Sequence, residues 1–274
     1  MPKIIYTTGI TGFIGRNLLI ELAKSYDSVI NFGRDNKMSI HNGSDVRHLD
    51  FSLDSLKNYP SQTLIHLATY YNPSPKNIAE EENLTQSNYY FGKNLCKNLG
   101  KIGLTKIIGI SSYTQLLPLK EQNLYARSKD DFNKWAKNYF EFLEVFLFDT
   151  FGSNDYRDKV VDTFIKKAIA GEDIHIPNEK LSINLTNVYE INRSIVNLLN
   201  FKKGEYCIKS PHNISLQNLA EIIIKASNSS SSIVNKNLPN SNANSNIKLP
   251  LNVYKESMSV TFSDQIYNRY NELR

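Results

Sequence analysis

The sequence lacks the features of secreted, membrane-spanning and metal-binding proteins. It has only two cysteines in 274 residues, Cys96 and Cys207, which lie far apart and are not accompanied by clustered histidines. Neither a disulfide framework nor a zinc site is therefore predicted. No apolar run approaches the roughly 20 residues that a membrane-spanning helix needs, and the first residues resemble a strand instead of a signal peptide. We expect a cytoplasmic protein with no metal ion and no membrane association.

The chain also lacks a concentration of charge of one sign. Its 32 basic and 27 acidic residues give a net charge of +5, and the lysines are spread along the sequence. A nucleic-acid partner is not expected, because proteins that bind one carry a basic patch or block. The modest positive charge is compatible with an anionic small substrate and equally with general solubility. With 41% hydrophobic residues, the chain can bury one large core, alone or with a smaller lobe.

Apolar segments of strand length and helix length alternate along the first part of the chain. This alternation predicts an α/β fold with a Rossmann-type, doubly wound parallel sheet. The predicted strands cover residues 4–7, 28–32, 46–49, 63–68, 105–111 and 144–148, and the predicted helices cover 13–24, 81–99 and 125–140.

Beyond Gly152 the pattern changes to that of a smaller mixed α/β lobe. Residues 228–246 are rich in Ser and Asn and predict a flexible connection. We therefore place a first domain at residues 1–155 and assign 156–274 mainly to the smaller lobe, with some segments returning to the sheet. The elements predicted in the lobe are helices at 159–170, 190–199 and 216–226 and a strand at 173–176.

Glycine is scarce, with twelve in the chain, yet three glycines stand three apart in the stretch YTTGITGFIG, residues 6–15. They lie between a predicted strand and a predicted helix, as a dinucleotide-binding turn requires. Gly9 would permit the tight turn out of the strand. Gly12 would let a pyrophosphate approach the backbone and the helix N-terminus, and Gly15 would let the helix pack closely against the sheet. A purely structural turn is the alternative. The candidate cofactor-binding residues of this loop are Gly9, Thr11, Gly12, Phe13, Ile14 and Gly15.

The end of the second predicted strand bears on the choice of cofactor. Arg34 stands where many NAD sites have a carboxylate, and an arginine there would pair with the ribose 2′-phosphate of NADP. Asp35 follows at once and weakens this inference, so NAD stays possible and an exposed loop arginine is the alternative. Asp50 and Phe51, after the third predicted strand, could hold the adenine edge or form a simple turn.

A second motif, YARSK, places Tyr125 and Lys129 four residues apart on a predicted helix. The lysine ammonium can then lie near the phenol and lower its pKa, which makes the tyrosine usable as a proton donor and acceptor. A chance surface pair is the alternative. The preceding strand ends in ISSYT and offers the hydroxyls of Ser111 and Ser112 at the carboxyl end of the sheet, where ligands bind such folds.

Over about the first 155 residues the chain resembles the extended short-chain dehydrogenase/reductase family. TGITGFIG, HLAT, Asn88, ISS and YARSK occur in the family's order. The resemblance implies that Ser112 is the catalytic hydroxyl, with Ser111 as the alternative. It also implies that Tyr125 is the acid and that Lys129 binds the nicotinamide ribose.

The same resemblance implies further contacts to NADP. Leu67, Ala68 and Tyr70 would line the nucleotide, and Asn88 would support the site from behind. It also implies a homodimer through the helices at residues 81–99 and 125–140, although their apolar faces could equally pack inside the monomer.

LFDTFGSNDYRDK, residues 147–159, resembles a segment of nucleotide-sugar 4-ketoreductases, with Ser153 in place of the usual proline. INLTNVYEI resembles the segment that closes their sugar pocket, with Tyr189-Glu190 where two acids are common. A nucleotide-sugar substrate is implied, with Arg157 and Lys159 as diphosphate partners or simply exposed charges. The candidate substrate-binding residues are Ser112, Tyr113, Asn154, Arg157 and Lys159.

The residues also distinguish among reactions of this fold. A 4,6-dehydratase has an Asp-Glu pair after the catalytic hydroxyl, whereas Tyr113-Thr114 follows Ser112 here. Arg34 favours NADPH and net reduction over epimerisation. The resemblance to nucleotide-sugar 4-ketoreductases then implies reduction of the 4-keto group of a CDP- or dTDP-linked 6-deoxy or 3,6-dideoxy hexulose, in the synthesis of bacterial surface polysaccharides. Two alternatives stay open: a C4-epimerase with tightly bound NAD, and a non-catalytic NADP-binding regulator.

Overall fold

The computed structural model describes residues 2–178, 181–238, 247, 249–250, 252–254 and 260–274. Within these residues the chain forms two compact units. The first comprises described residues of Met1–Leu147, Ile195–Cys207 and Ile247–Val253. The second comprises those of Phe148–Ser194, Ile208–Asn246 and Tyr254–Arg274.

Regular elements fill the described chain. Up to residue 147 they are β1 (Ile4–Thr8), α1 (Phe13–Leu22), β2 (Ser28–Phe32), β3 (Lys37–Asn42), β4 (Asp45–Asp50), β5 (Thr63–His66), α2 (Ile78–Thr85), α3 (Phe91–Gly100), β6 (Lys106–Ser112), α4 (Leu124–Lys137) and β7 (Glu141–Leu147). From residue 148 they are β8 (Asp149–Phe151), α5 (Val160–Ala170), β9 (Ile174–Ile176), β10 (Ser182–Ile183), β11 (Leu185–Asn187), α6 (Val188–Leu198), β12 (Gly204–Ile208), β13 (Ile214–Ser215), α7 (Leu216–Ser227), β14 (Ile233–Asn235), β15 (Asn252–Tyr254) and α8 (Phe262–Leu273).

The large sheet has the strand order β15-β12-β7-β6-β5-β1-β2-β3-β4. Its centre is parallel: β1 pairs with β2 and β5, and β6 pairs with β5 and β7. All residues of β1 and β2 are buried, as expected for parallel strands covered on both faces. The chain leaves β1 toward β2 and later returns on its other side, which is the switch point where such sheets bind ligands. The predicted doubly wound α/β fold is confirmed.

One edge of this sheet differs from the prediction. We expected a single parallel strand at residues 46–49, but β3 and β4 form an antiparallel meander after β2. The cause is a tight turn in which Asp35 and Asn36 adopt φ of 62° and 54°, the conformation that joins antiparallel strands in two-residue hairpins. Sequence reasoning missed β3, although Met38 and Ile40 alternate with polar residues and are buried.

Beyond residue 152 the predicted helices match α5, α6 and α7 closely, and the predicted strand is β9. The predicted connection at 228–246 is wrong in part, because Ile233–Asn235 forms β14 and pairs in parallel with β9. Residues 239–246 of that prediction lie outside the described residues.

Each unit has its own apolar core. In the first unit, Tyr6, Phe32, Leu64 and Phe132 are among the side chains buried between the sheet and its helices. The core of the second unit lies among α5, α7 and α8 and includes Ile165, Leu219 and Ile266. The first core holds the carboxyl ends of β1, β5 and β6 in place.

Candidate active site

The glycine loop packs tightly between β1 and α1. Gly9 has φ of +72°, and a Cβ there would lie 2.7 Å from the Ala68 nitrogen. A Cβ on Gly15 would lie 2.3 Å from the Gly9 oxygen, so neither position accepts a side chain without rearrangement. Gly12 is different, because a Cβ there would meet only the Gly9 oxygen, at 3.3 Å. The loop is thus closed against the protein at Gly9 and Gly15 and open at Gly12.

The start of α1 is suited to an anion. Gly12 is the N-cap residue, and no side chain caps the helix there. The backbone N–H groups of a helix N-terminus attract phosphate when no side chain occupies them. Thr11 is exposed, and Phe13 and Ile14 begin the helix half-buried. These residues fit the pyrophosphate of a dinucleotide.

Two buried polar side chains that sequence reasoning missed hold this loop in shape. Asn31 on β2 accepts a hydrogen bond from the Ile10 nitrogen at 3.2 Å. The Thr8 hydroxyl accepts one from the Ala68 nitrogen at 3.1 Å, which ties the loop to the segment after β5. A polar residue inside an otherwise apolar strand was the available signal for both.

The residues predicted to contact the adenosine half lie at the ends of β2 and β4. Arg34 is exposed in the β2–β3 turn, and no hydrogen bond or ion pair joins its guanidinium to another described residue. Asp50, at the end of β4, forms an exposed ion pair with Lys37. Phe51 packs edge-on against Phe32, with ring centroids 5.2 Å apart.

Asn88 connects the segment after β5 with α4. It lies in a short π-helical stretch, Gln86–Tyr90, a rare geometry that is frequent at functional sites. Its side-chain oxygen accepts from the nitrogen of Tyr70 at 2.7 Å, and its nitrogen donates to Ser128 at 3.0 Å. Further bonds join it to the Tyr70 oxygen and the Thr69 hydroxyl. Its amide is therefore fully engaged within the protein, as the supporting role that we expect for it requires.

The two serines at the end of β6 have opposite environments. Ser111 is buried and donates to Glu144 at 3.0 Å. Ser112 is half-buried, and its oxygen accepts from the nitrogen and hydroxyl of Thr114 at 3.3 and 2.9 Å. In that arrangement the Ser112 hydroxyl donates its proton to no described residue. The structure therefore favours Ser112 over Ser111 as the hydroxyl available to a ligand.

Tyr125 and Lys129 lie one turn apart on the buried face of α4. Asn123 caps the helix by accepting from the Ala126 nitrogen at 2.9 Å. The Lys129 ammonium lies 6.0 Å from the centroid of the Tyr125 ring. Tyr71, which the sequence analysis did not single out, packs edge-on against Tyr125 with ring centroids 5.0 Å apart. These contacts leave Tyr125 only 7% exposed.

Lys129 is a buried cation. Burial lowers its pKa to about 8, while the charge of Glu144 raises it. His66, at the end of β5, is buried nearby, and burial together with the charge of Lys129 lowers the pKa of His66 to about 3. His66 is therefore neutral at physiological pH, and its Nδ1 lies 2.9 Å from the Thr8 hydroxyl.

In the second unit, the loop after β8 carries the predicted diphosphate partners. Arg157 donates from Nε and Nη2 to Asp155 at 2.7 Å and from Nη2 to the Thr150 oxygen at 2.9 Å. Asn154 is exposed with φ of 63°, and Lys159 is the N-cap residue of α5. Burial raises the pKa of Asp149, while the charges of Lys159 and Arg157 lower it.

No group of His, Cys, Asp or Glu in the described ranges is arranged to hold a metal ion. Among the described helices, none is long and apolar enough to cross a membrane.

The remaining predicted contact residues lie next to two strands of the large sheet. Tyr113 follows Ser112 in a single 3-10 turn. Leu67 and Ala68 follow β5 and are half-buried.

A doubly wound sheet with a glycine loop and a Tyr-Lys pair defines a nicotinamide-dependent enzyme class, and the comparison with family models agrees. Residues 5–192 match the NAD dependent epimerase/dehydratase family, so the chain belongs to this family. This confirms the predicted resemblance and a cofactor of the NAD(P) class.

Individual relatives support the same placement. The chain is 25% identical over 215 residues to CDP-abequose synthase of Yersinia pseudotuberculosis, covering 74% of this chain and 75% of the relative. Among solved structures, RMD from Pseudomonas aeruginosa complexed with NADPH aligns with a TM-score of 0.73 at 16% identity, covering 99% and 98% of the two chains. The UDP-glucose 4-epimerase of Thermotoga maritima aligns with a TM-score of 0.74 at 16% identity, covering 98% and 97%.

Proposed function

We propose that this enzyme uses NADPH to reduce the 4-keto group of a CDP- or dTDP-linked 6-deoxy or 3,6-dideoxy hexulose. One observation carries the proposal: Tyr125 and Lys129 share the buried face of α4, while the end of β6 presents Ser112, whose hydroxyl donates to no residue in the described ranges. The similarity to CDP-abequose synthase supports the substrate class.

In the proposed reaction each residue acts on a stated atom. Ser112 donates a hydrogen bond to the 4-keto oxygen and holds it in place. Tyr125 transfers its phenolic proton to that oxygen as it becomes an alkoxide. The Lys129 ammonium stabilises the resulting phenolate and would bind the nicotinamide ribose of the coenzyme. The neighbouring side chains restrict the access of water to Tyr125, which strengthens these interactions.

The loop at residues 9–15, with Leu67, Ala68 and Tyr70, would hold the coenzyme, which supplies the hydride to C4 when bound. The three glycines fit such a ligand because they bring backbone N–H groups close to its pyrophosphate. In the second unit, Asn154, Arg157 and Lys159 are our candidates for substrate binding.

A C4-epimerase with bound NAD is the second candidate, because the same Ser, Tyr and Lys set could move the hydroxyl proton in a reaction in which NAD would accept a hydride from C4 and return it to the same carbon. The similarity in fold to a UDP-glucose 4-epimerase keeps it open. Arg34, in the turn after β2 and without a side-chain partner among the described residues, favours NADPH and therefore net reduction. A non-catalytic NADP-binding regulator would not need Tyr125 and Lys129 on a buried face.

The test is a panel of CDP-, dTDP- and GDP-linked 4-keto-6-deoxy sugars and UDP-linked hexoses, with both coenzymes. We expect stoichiometric NADPH oxidation with a keto sugar and a fall of about 10²- to 10⁴-fold in kcat/KM for Tyr125→Phe. Isomerisation of UDP-sugars without net coenzyme change would establish the epimerase instead. Undiminished turnover by Tyr125→Phe would contradict the catalytic assignment.

We further propose that the enzyme works in the cytoplasm as a homodimer and supplies deoxysugars for surface polysaccharides such as the O-antigen of lipopolysaccharide. Light scattering of the purified protein tests the dimer: a mass of twice 31.3 kDa supports it, and a mass of one chain contradicts it.

A further inference from the structure

A carboxylate that the proposed reaction does not use lies beneath α4. Glu144 is in the middle of β7 and only 2% exposed. Its Oε1 accepts from the Ser111 hydroxyl at 3.0 Å and from Asn133 Nδ2 at 2.7 Å. Its Oε2 lies 2.6 Å from the Lys137 ammonium. Burying a charged group is costly, so a network of this kind requires an explanation.

The partners of Glu144 place it beside the candidate catalytic residues. Tyr125, Lys129, Asn133 and Lys137 follow one another at intervals of four residues, which aligns them along one side of α4. Glu144 binds Asn133 and Lys137, the two members of this row that follow Lys129. Through Ser111 it also binds β6 at the residue before Ser112.

The charges around this row balance only when Glu144 is present. Lys137 also binds Glu205 at 2.8 Å, so two carboxylates face two ammonium groups. The elements packed against α4 carry other titratable groups, and His66 on β5 is neutral. None of them has an opposite charge that raises the pKa of Lys129, whereas Glu144 does. These other groups are Glu80, Glu81 and Glu82 on α2, Tyr89, Tyr90, Lys93 and Cys96 on residues 86–100, and Tyr113 after β6.

We propose that Glu144 is a positioning residue for Lys129: it holds α4 against β6 and β7 and keeps the Lys129 side chain in its ammonium form. Its importance for turnover rests on the proposed function, because only there does Lys129 have a catalytic task. Its effect on Lys129 itself is independent of any substrate.

Glu144→Gln tests the inference, since glutamine keeps the size of the side chain and removes the charge. We expect the titration midpoint of Lys129, followed by the ¹³Cε NMR signal of labelled lysine, to fall by about one pH unit or more. The alkaline limb of kcat/KM should fall with it. Ser111→Ala is the matched control: it removes one hydrogen bond to Glu144, keeps the charge, and should leave the midpoint unchanged.

Lys137→Met should shift the titration midpoint of Lys129 in the opposite direction. This second variant keeps the inference testable even if Glu144→Gln does not fold. The substitution removes the ammonium group that is paired with Glu144. The negative charge of Glu144 then acts more strongly on Lys129, so the titration midpoint of Lys129 should rise. Unchanged NMR midpoints in both variants would overturn the inference. A shifted midpoint without a shifted rate profile would leave Glu144 acting on Lys129 and would instead contradict the catalytic role of Lys129.

Discussion

Lys129 in the first unit and Arg269 in the second are both buried cations, 7% and 5% exposed, yet their surroundings differ. Arg269 donates from Nε and Nη2 to Asp162 at 2.9 and 2.5 Å, and from Nη2 to the Asp155 oxygen at 2.9 Å. Lys129 forms no hydrogen bond or ion pair with any described residue. One cation is fully paired and the other is not.

Their pKa values reflect this difference. Burial acts against the charge of Arg269, but hydrogen bonds to Asp162 and Glu272 raise its pKa above the ordinary value. Burial of Lys129 lowers its pKa to about 8, and the charge of Glu144 offsets this only in part. Removing one member of a buried ion pair destabilises a fold because it leaves the other charge unpaired, whereas a buried charge without a hydrogen-bonded partner is available to a ligand.

Replacing each cation with methionine should separate the two roles and has the largest expected effects. Lys129→Met should lower kcat/KM by about 10²- to 10⁴-fold without lowering the free energy of unfolding. Arg269→Met should lower the free energy of unfolding by about 3–5 kcal/mol, because it leaves Asp162 buried and unpaired. Steady-state kinetics and urea denaturation measure the two effects.

The pH dependence sharpens the same contrast. The pKa of Lys129 in the folded protein, about 8, is below its ordinary value of 10.5, so between these values the unfolded chain holds the proton more strongly. The contribution of Lys129 to the free energy of unfolding therefore rises with pH between about 8 and 10.5. We expect coenzyme-free Lys129→Met to be more stable than the wild type by up to about 3 kcal/mol at pH 7 and by much less at pH 10. An equal difference at both pH values would contradict the burial of a charged Lys129.

The sequence predicted the candidate site better than its supporting residues. Tyr125, Lys129 and Ser112 stand in motifs whose spacing and order indicate their chemistry. Glu144 and Asn133 have no local pattern, because their partners come together only when α4 packs on β6 and β7. A buried polar residue in an apolar strand is visible in the sequence, but its partner is not.

The fold was predictable where apolar runs were long. β3 was missed because its buried apolar residues are Met38 and Ile40 alone and its neighbour β4 is exposed along its length. β14 was missed because it lies in a stretch rich in Ser and Asn. β3 pairs with β2 across the tight turn at Asp35 and Asn36, a short-range signal that was overlooked. β14 pairs with the distant β9, and such pairing is not encoded in the local sequence.

Two glycines of the loop at residues 9–15 differ in the same way. At Gly15 other protein atoms occupy the space that a side chain would need, whereas at Gly12 that space is largely open. Gly15→Ala should lower the free energy of unfolding by about 1–3 kcal/mol, because its Cβ would lie 2.3 Å from the Gly9 oxygen. Gly12→Ala should leave stability nearly unchanged and weaken NADPH binding by about tenfold or more, since the new methyl group would occupy the approach of the pyrophosphate. Thermal unfolding and fluorescence titration measure these effects, and unchanged NADPH affinity in Gly12→Ala would place the coenzyme elsewhere.

Arg34 and Arg157 extend the contrast to exposed side chains, with the smallest expected effect. Arg157 is bound by Asp155 and Thr150, whereas Arg34 has no partner among the described residues. Arg34→Ala should therefore weaken NADPH binding by about tenfold, since a hydrogen bond to a charged group contributes about 1.5–3 kcal/mol, and should leave NADH binding unchanged. Lys37→Ala in the same turn is the control, because Lys37 is already paired with Asp50. Equal losses for both coenzymes would show that Arg34 does not recognise the 2′-phosphate, and the preference for net reduction over epimerisation would then lose its main support.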